Sequence, residues 1–137
     1  MNDNCIFCKI AAGIIPSATV YEDDDFRAIL DIAPAHKGHT ILLPKAHAAN
    51  IFELPEDIAA KTLPVVKKIA KAIQEETGCD GINVLQNNGE AAGQTVFHLH
   101  VHIIPRYKED GILPTWPQGA YEDGEAAELA EKINKKL

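Results

Sequence analysis

The chain has 137 residues, 46% hydrophobic and 24% charged, with a formal net charge of −7. That length supports one domain whose core needs no disulfide staples. The acidic balance, without a stripe of Lys and Arg, argues against a nucleic-acid partner, although backbone N–H groups and a few histidines can still hold a small phosphate ligand.

No apolar run is long enough to cross a bilayer, so no membrane partner is expected. The first ten residues lack the basic and apolar regions of a secretory signal, and the cytoplasm is the expected location. Three cysteines, Cys5, Cys8 and Cys79, argue against a disulfide framework there.

In chain order, residues 5–12 read as a short turn or helix. Residues 19–21 and 26–31 read as a hairpin around an acidic turn at 22–25. Gly38 leads into an apolar strand, 39–43, stopped by Pro44. Leu63, Val66, Ala70 and Ile73 give helical spacing over 55–77, with Pro55 in the first turn and Gly78 as the stop. Pro64 predicts a kink or a break there. A strand follows at 81–87, then a small-residue loop to Gln94, then the strongest strand, 95–104, stopped by Pro105. Residues 123–137 read as a helix with Asp123 as N-cap and Lys132, Lys135 and Lys136 at its C-terminal end. Strands, helix, strands and helix in that order indicate an α+β fold with an antiparallel sheet.

The strongest strand carries His98, His100 and His102 at alternate positions, half of the six histidines in the chain. Alternation puts them on one face and Phe97, Leu99, Val101 and Ile103 on the core face. Three readings follow: a solvated face, a three-histidine zinc site with an open position, or nucleophilic chemistry by an imidazole unprotonated near neutral pH. Gly93-Gln94-Thr95 just upstream favours the third, because close backbone approach, N–H groups and a hydroxyl suit an anion more than a metal cage.

From Asn87 through Gly93-Gln94-Thr95 to Ile104, the sequence resembles the histidine-triad (HIT) proteins, whose signature is three histidines alternating with hydrophobic residues. The resemblance runs from Ile6 to about Trp116. It implies a five-stranded antiparallel sheet with one long and one or two short helices, and a homodimer that joins two sheets into ten strands. It also implies a nucleotidyl hydrolase or transferase acting at the α-phosphate of a nucleotide, with no catalytic metal required. His100 matches the nucleophile. His102, His39, Thr95 and Asn87 match phosphate-contacting positions, and Gly93 and Gln94 belong to the same loop. Asp31 matches the residue that accepts from the ribose hydroxyls, as an acceptor-only carboxylate can. Ile6, Phe7, Ile10, Ile29 and Ile32 match the base pocket.

Cys5 and Cys8 form a C-x-x-C with no strand before it, which disfavours a redox motif. The zinc-binding subset of this superfamily pairs such cysteines with a histidine past a Pro-Lys turn and the first triad histidine. Here these are His47 and His98, so the resemblance implies a structural zinc site. Cys79 is left as a packed thiol and His36 as a surface histidine. Two branches compete. Asn87 and Trp116 resemble the Hint-like branch, which cleaves purine nucleoside phosphoramidates and brings its Trp-Pro segment near a partner's active site. Pro105-Arg106 resembles the branch that cleaves dinucleoside polyphosphates. A nucleotide-binding regulatory protein with incidental hydrolysis is the non-enzymatic alternative.

Overall fold

A computed structural model describes residues 2–112 and 116–137. Helix α1 covers Ile6–Ala11, followed by strands β1 (Thr19–Glu22), β2 (Phe26–Leu30) and β3 (Thr40–Pro44). The long helix α2, Glu56–Thr77, leads to β4 (Gly81–Leu85), a short 3-10 turn (Glu90–Ala92), β5 (Val101–Arg106) and helix α3 (Glu125–Asn134). All pairings are antiparallel, and the strand order is β1-β2-β3-β5-β4.

Helix α2 runs unbroken for 22 residues with Pro64 inside it. Its acidic first turn, Glu56 and Asp57, complements the helix dipole, and Gly78 ends it in the left-handed conformation at φ 66°. Its stripe of Ile58, Val65, Val66, Ile69 and Ile73 packs on Phe26, Ala28, Leu42, Val101 and Ile103. The opposite sheet face, with Ile29, Ile41 and Leu43, packs on Ile10 and Ala11 of α1. One sheet face therefore belongs to α2 and the other to α1, and His102 shares the α1 face with its cross-strand partner Ile41.

Several expectations need correction. Pro44 and Pro105 lie inside β3 and β5 instead of stopping them. Pairing between these strands covers only residues 40–42 and 101–103. Each proline thus sits where one neighbour has ended, and its missing N–H leaves no ladder partner unsatisfied. The strand expected from residue 95 starts at Val101. Its neighbours supply no ladder further back: β4 ends by pairing Leu85 with His102, and the Leu99 N–H donates to the Ala48 carbonyl in a loop. Phe97, expected in the core, is half exposed. Helix α3 is capped by Gly124 at φ 78°, not Asp123, and Glu125 reaches back to accept from the Glu122 N–H.

Candidate active site and metal centre

On the α1 face a cavity of about 470 Å³ opens, a size typical of small-ligand sites. Ile6, Phe7 and Ile10 of α1 and Ile29 of β2 line one part of it, with Ile32 at the rim. Asp31, Gly93, Thr95, His100 and His102 line the polar part. Ile15, Pro16, Ser17, Leu30, Ile41 and Val96 also line it and were not anticipated. Ile41 was open to inference, since it lies two residues after His39 in the stretch expected to be a strand. The segment 15–17 lies in a loop whose placement no periodicity reports.

Backbone contacts assign the imidazole tautomers. A carbonyl only accepts, so His98 Nε2 carries the proton it donates to Pro44 O at 2.8 Å, and His100 Nδ1 donates to His98 O at 2.7 Å. In the neutral ring His100 Nε2 is therefore an unprotonated lone pair, the form a nucleophile requires. The Ala35 N–H donates to His39 Nδ1 at 3.0 Å. His39 Nε2 then holds the proton and donates it to His102 Nδ1 at 2.9 Å, which leaves His102 Nε2–H as a free donor. Asp31 Oδ2 lies 3.6 Å from His39 Nε2. Asp31, His39 and His102 cluster closely enough to suggest metal ligands. However, His39 Nε2 keeps its proton and donates it to His102, so the two rings form a hydrogen-bonded pair with Asp31 nearby, and not a ligand set. The ring of Phe7 packs edge-on against His100 at 5.0 Å between centroids.

Burial lowers the affinity of His39 and His98 for protons. His102 is held down to about 4 from an ordinary 6.5, first by burial and then by His100 and His39, with Asp31 opposing. The unfolded chain thus binds a proton on His102 that the folded chain refuses between these values. Stability should be fully present above about pH 6.5 and should fall as pH drops towards 4. Thermal melts across that range should show a shallower slope for His102→Gln. An identical slope in the variant would refute the assignment.

A second cluster lies under the first. Cys5 and Cys8, His47 Nδ1 and His98 Nδ1 converge with all four donor atoms within 4.8 Å of one another. Sulfur-to-nitrogen distances are 3.3–3.4 Å, and the two Nδ1 atoms are 3.2 Å apart. A tetrahedral ion with bonds of about 2.3 Å to sulfur and 2.0 Å to nitrogen spaces its ligands roughly 3.3–3.8 Å apart. His98 Nδ1 is a lone pair by the tautomer argument and so is available to a metal ion. Burial pushes the Cys8 thiol up, an effect that a bound cation reverses. These four residues fit a metal ion.

Other expected residues stand apart from the cavity. Asn87 places its side-chain amide beside Gly93, at the rim. Gln94 is turned inward. Its side chain accepts from the Gly89 N–H and donates to Ala49 O and Val96 O, so it pins the loop and has no group left for a ligand. Trp116 is exposed and does not reach the cavity of its own chain. His36 is not a free surface histidine. It contacts Asp110 Oδ2 at 3.0 Å, and Asp110 also receives both arms of Arg106. That ion pair ties Arg106 to the 107–112 loop, away from the cavity. Cys79 is buried, as a packed thiol should be.

Residues 12–109 match the family model described as HIT domain. Adenosine 5′-monophosphoramidase hnt1 of Schizosaccharomyces pombe is 45% identical over 98% of this chain and 98% of its own. A crystal structure of a HIT family member from Bacillus subtilis superposes with a TM-score of 0.93 at 48% identity, covering 98% of each chain. A zinc-bound histidine triad family protein from Mycobacterium smegmatis superposes with a TM-score of 0.75 at 35% identity, covering 96% of each.

Proposed function

The chain belongs to the histidine-triad (HIT) family, and from that premise we propose that it hydrolyses purine nucleoside phosphoramidates of the AMP–amine type at the α-phosphate. The observation that carries the reading is His100: its Nδ1–H is tied to a backbone carbonyl, its Nε2 is unprotonated, and its ring lines a nucleotide-sized cavity. His100 Nε2 attacks phosphorus, the bridging nitrogen takes a proton from solvent, the P–N bond breaks, and the neutral amine leaves. Water then cleaves the nucleotidyl-histidine bond and releases the nucleoside monophosphate. His102 Nε2–H, the Thr95 hydroxyl and the Gly93 backbone hold phosphate oxygens, with Asn87 beside them. His39 keeps His102 in the donating tautomer. Asp31 accepts from the ribose hydroxyls, and the α1 isoleucines with Phe7 enclose the base. The activity of the Schizosaccharomyces pombe relative supports this substrate class.

Zinc is the ion that the two thiolates and two imidazoles select. With all four positions filled by protein its role is structural, and no step of the reaction passes through it. The zinc-bound relative supports the assignment. A homodimer is supported by β4, an edge strand with Val84 and Leu85 partly exposed beside an apolar groove that Leu63 of α2 helps line. Edges of this kind are normally covered. In that dimer Trp116 would approach the partner's cavity. No described helix is long and apolar enough to cross a membrane.

Turnover of an adenosine phosphoramidate and of diadenosine triphosphate, measured side by side, separates the two branches. The expected result is a strong preference for the phosphoramidate. Arg106, which pointed to the other branch, is held by Asp110 and Asn83 in the scaffold. Preference for the dinucleotide would overturn this substrate assignment, and saturable AMP binding without turnover of either compound would favour a regulatory binding protein.

A further inference from the structure

Thr19 of β1 pairs with Ile29 of β2, Ile29 with Ile41 of β3, and Ile41 with His102 of β5. These four residues form one row across the α1 face. Three strand spacings of about 4.8 Å make that row roughly 14 Å long, comparable to an extended nucleoside monophosphate. Among the polar residues lining the cavity, His102 stands on β5 with His100 and Thr95 before it, Asp31 follows the end of β2 and Ser17 precedes β1, which is the order of those strands across the sheet. The Leu30 N–H donates to Ala18 O, which carries the β1–β2 pairing back to Ser17 and places it across from Asp31, on the outer side.

We propose that the Ser17 hydroxyl reads the substituent at position 6 of a purine base. This rests on the reading of the cavity as a nucleotide site. With phosphate at the histidines and ribose at Asp31, the base falls at the Ser17 end. Apolar side chains there can enclose a ring but cannot distinguish its edges. Ser17 is half-buried, and the contact its hydroxyl makes among the described residues is a marginal 3.5 Å approach to Thr19 Oγ1. A hydroxyl both donates and accepts. It can accept from the amino group of adenine or donate to the carbonyl oxygen of guanine. The site therefore takes both six-substituted purines and disfavours a purine bare at that position.

The test titrates wild-type protein, Ser17→Ala and Ser17→Thr with AMP, GMP and purine riboside 5′-monophosphate, and measures kcat/KM for the matching phosphoramidates. In the wild type, AMP and GMP should bind comparably, each about 3- to 10-fold better than the unsubstituted purine, the worth of one neutral hydrogen bond. Ser17→Ala should collapse that ratio towards one, and Ser17→Thr, which keeps a hydroxyl, should retain it. Wild-type binding of AMP without discrimination, or an unchanged ratio in Ser17→Ala, overturns this inference alone. Failure of the wild type to bind any of the three overturns the nucleotide reading of the cavity and this inference with it.

Discussion

His100→Ala is expected to lower phosphoramidate turnover by about 10⁴-fold or more while AMP still binds. The substitution removes the one ring whose tautomer is set for attack, by the 2.7 Å bond from Nδ1 to the His98 carbonyl. It leaves Asp31, Thr95, His102 and the apolar end of the cavity in place, and these supply the ground-state contacts. The loss should therefore fall on kcat and spare the Kd for AMP. Rapid quenching of the wild type during turnover should trap a nucleotidyl adduct on His100, detectable by peptide mass spectrometry and missing from the variant. Substantial turnover by His100→Ala, or an adduct on another residue, would remove His100 from the nucleophile's role.

Cys8→Ala should have the second-largest effect, and it should appear first as lost metal and lost stability. Cys8 is buried and touches both His47 and His98. Without it the remaining three donors cannot close a tetrahedral site, and bound zinc should fall from one per chain to near zero. Free zinc at 100–1,000 times its Kd stabilises the folded state by about 3–4 kcal/mol. For a chain of this size that corresponds to a drop in Tm of roughly 10–15 °C. Chelation of the wild type should reproduce the shift. Turnover should also decline, because His98, one of the four clustered donors, supplies the carbonyl that orients His100. A catalytic ion would behave differently: chelation would abolish turnover and leave the melting temperature unchanged. Unchanged melting on chelation would refute the structural assignment.

Both clusters were legible at the level of residue type. Three histidines two apart and a C-x-x-C stand out by their spacing, and the family resemblance, through the Pro-Lys turn before His47, supplied the partners of the cysteines. The helix over 55–77 was equally legible, because apolar period and a terminal glycine are properties of neighbouring residues. Of the triad, His100 and His102 line the cavity, while His98 turns to the cysteine cluster. Only His102 lies in a strand; His98 and His100 precede it, where the ladder has run out. Alternation predicted that stretch as strand because residue pattern does not report where neighbouring strands end. The same blindness misjudged Pro44 and Pro105, each tolerated because its other neighbour stops short. Gln94 was read as a ligand-binding residue from its place in a signature, yet Ala49 lies 45 residues away and takes its amide. His36 found Asp110 at a separation of 74.

The family resemblance supplied the candidate nucleophile and the full four-residue metal set; the sequence by itself determined the α+β class, the long helix with its stop and the donor types of the two clusters. These follow from period, capping and donor chemistry, which act between residues close along the chain. Only the tertiary structure decided which ring nitrogens of His98 and His102 bear the proton, because Pro44 O and His39, distant along the chain, set that state. It also decided that His39 and His102 form a hydrogen-bonded pair beside Asp31 instead of a metal site. It brought Ser17, from a loop with no readable pattern, to the far end of the row that begins at His102. Strand register across the sheet controls that placement, and register is settled by long-range pairing.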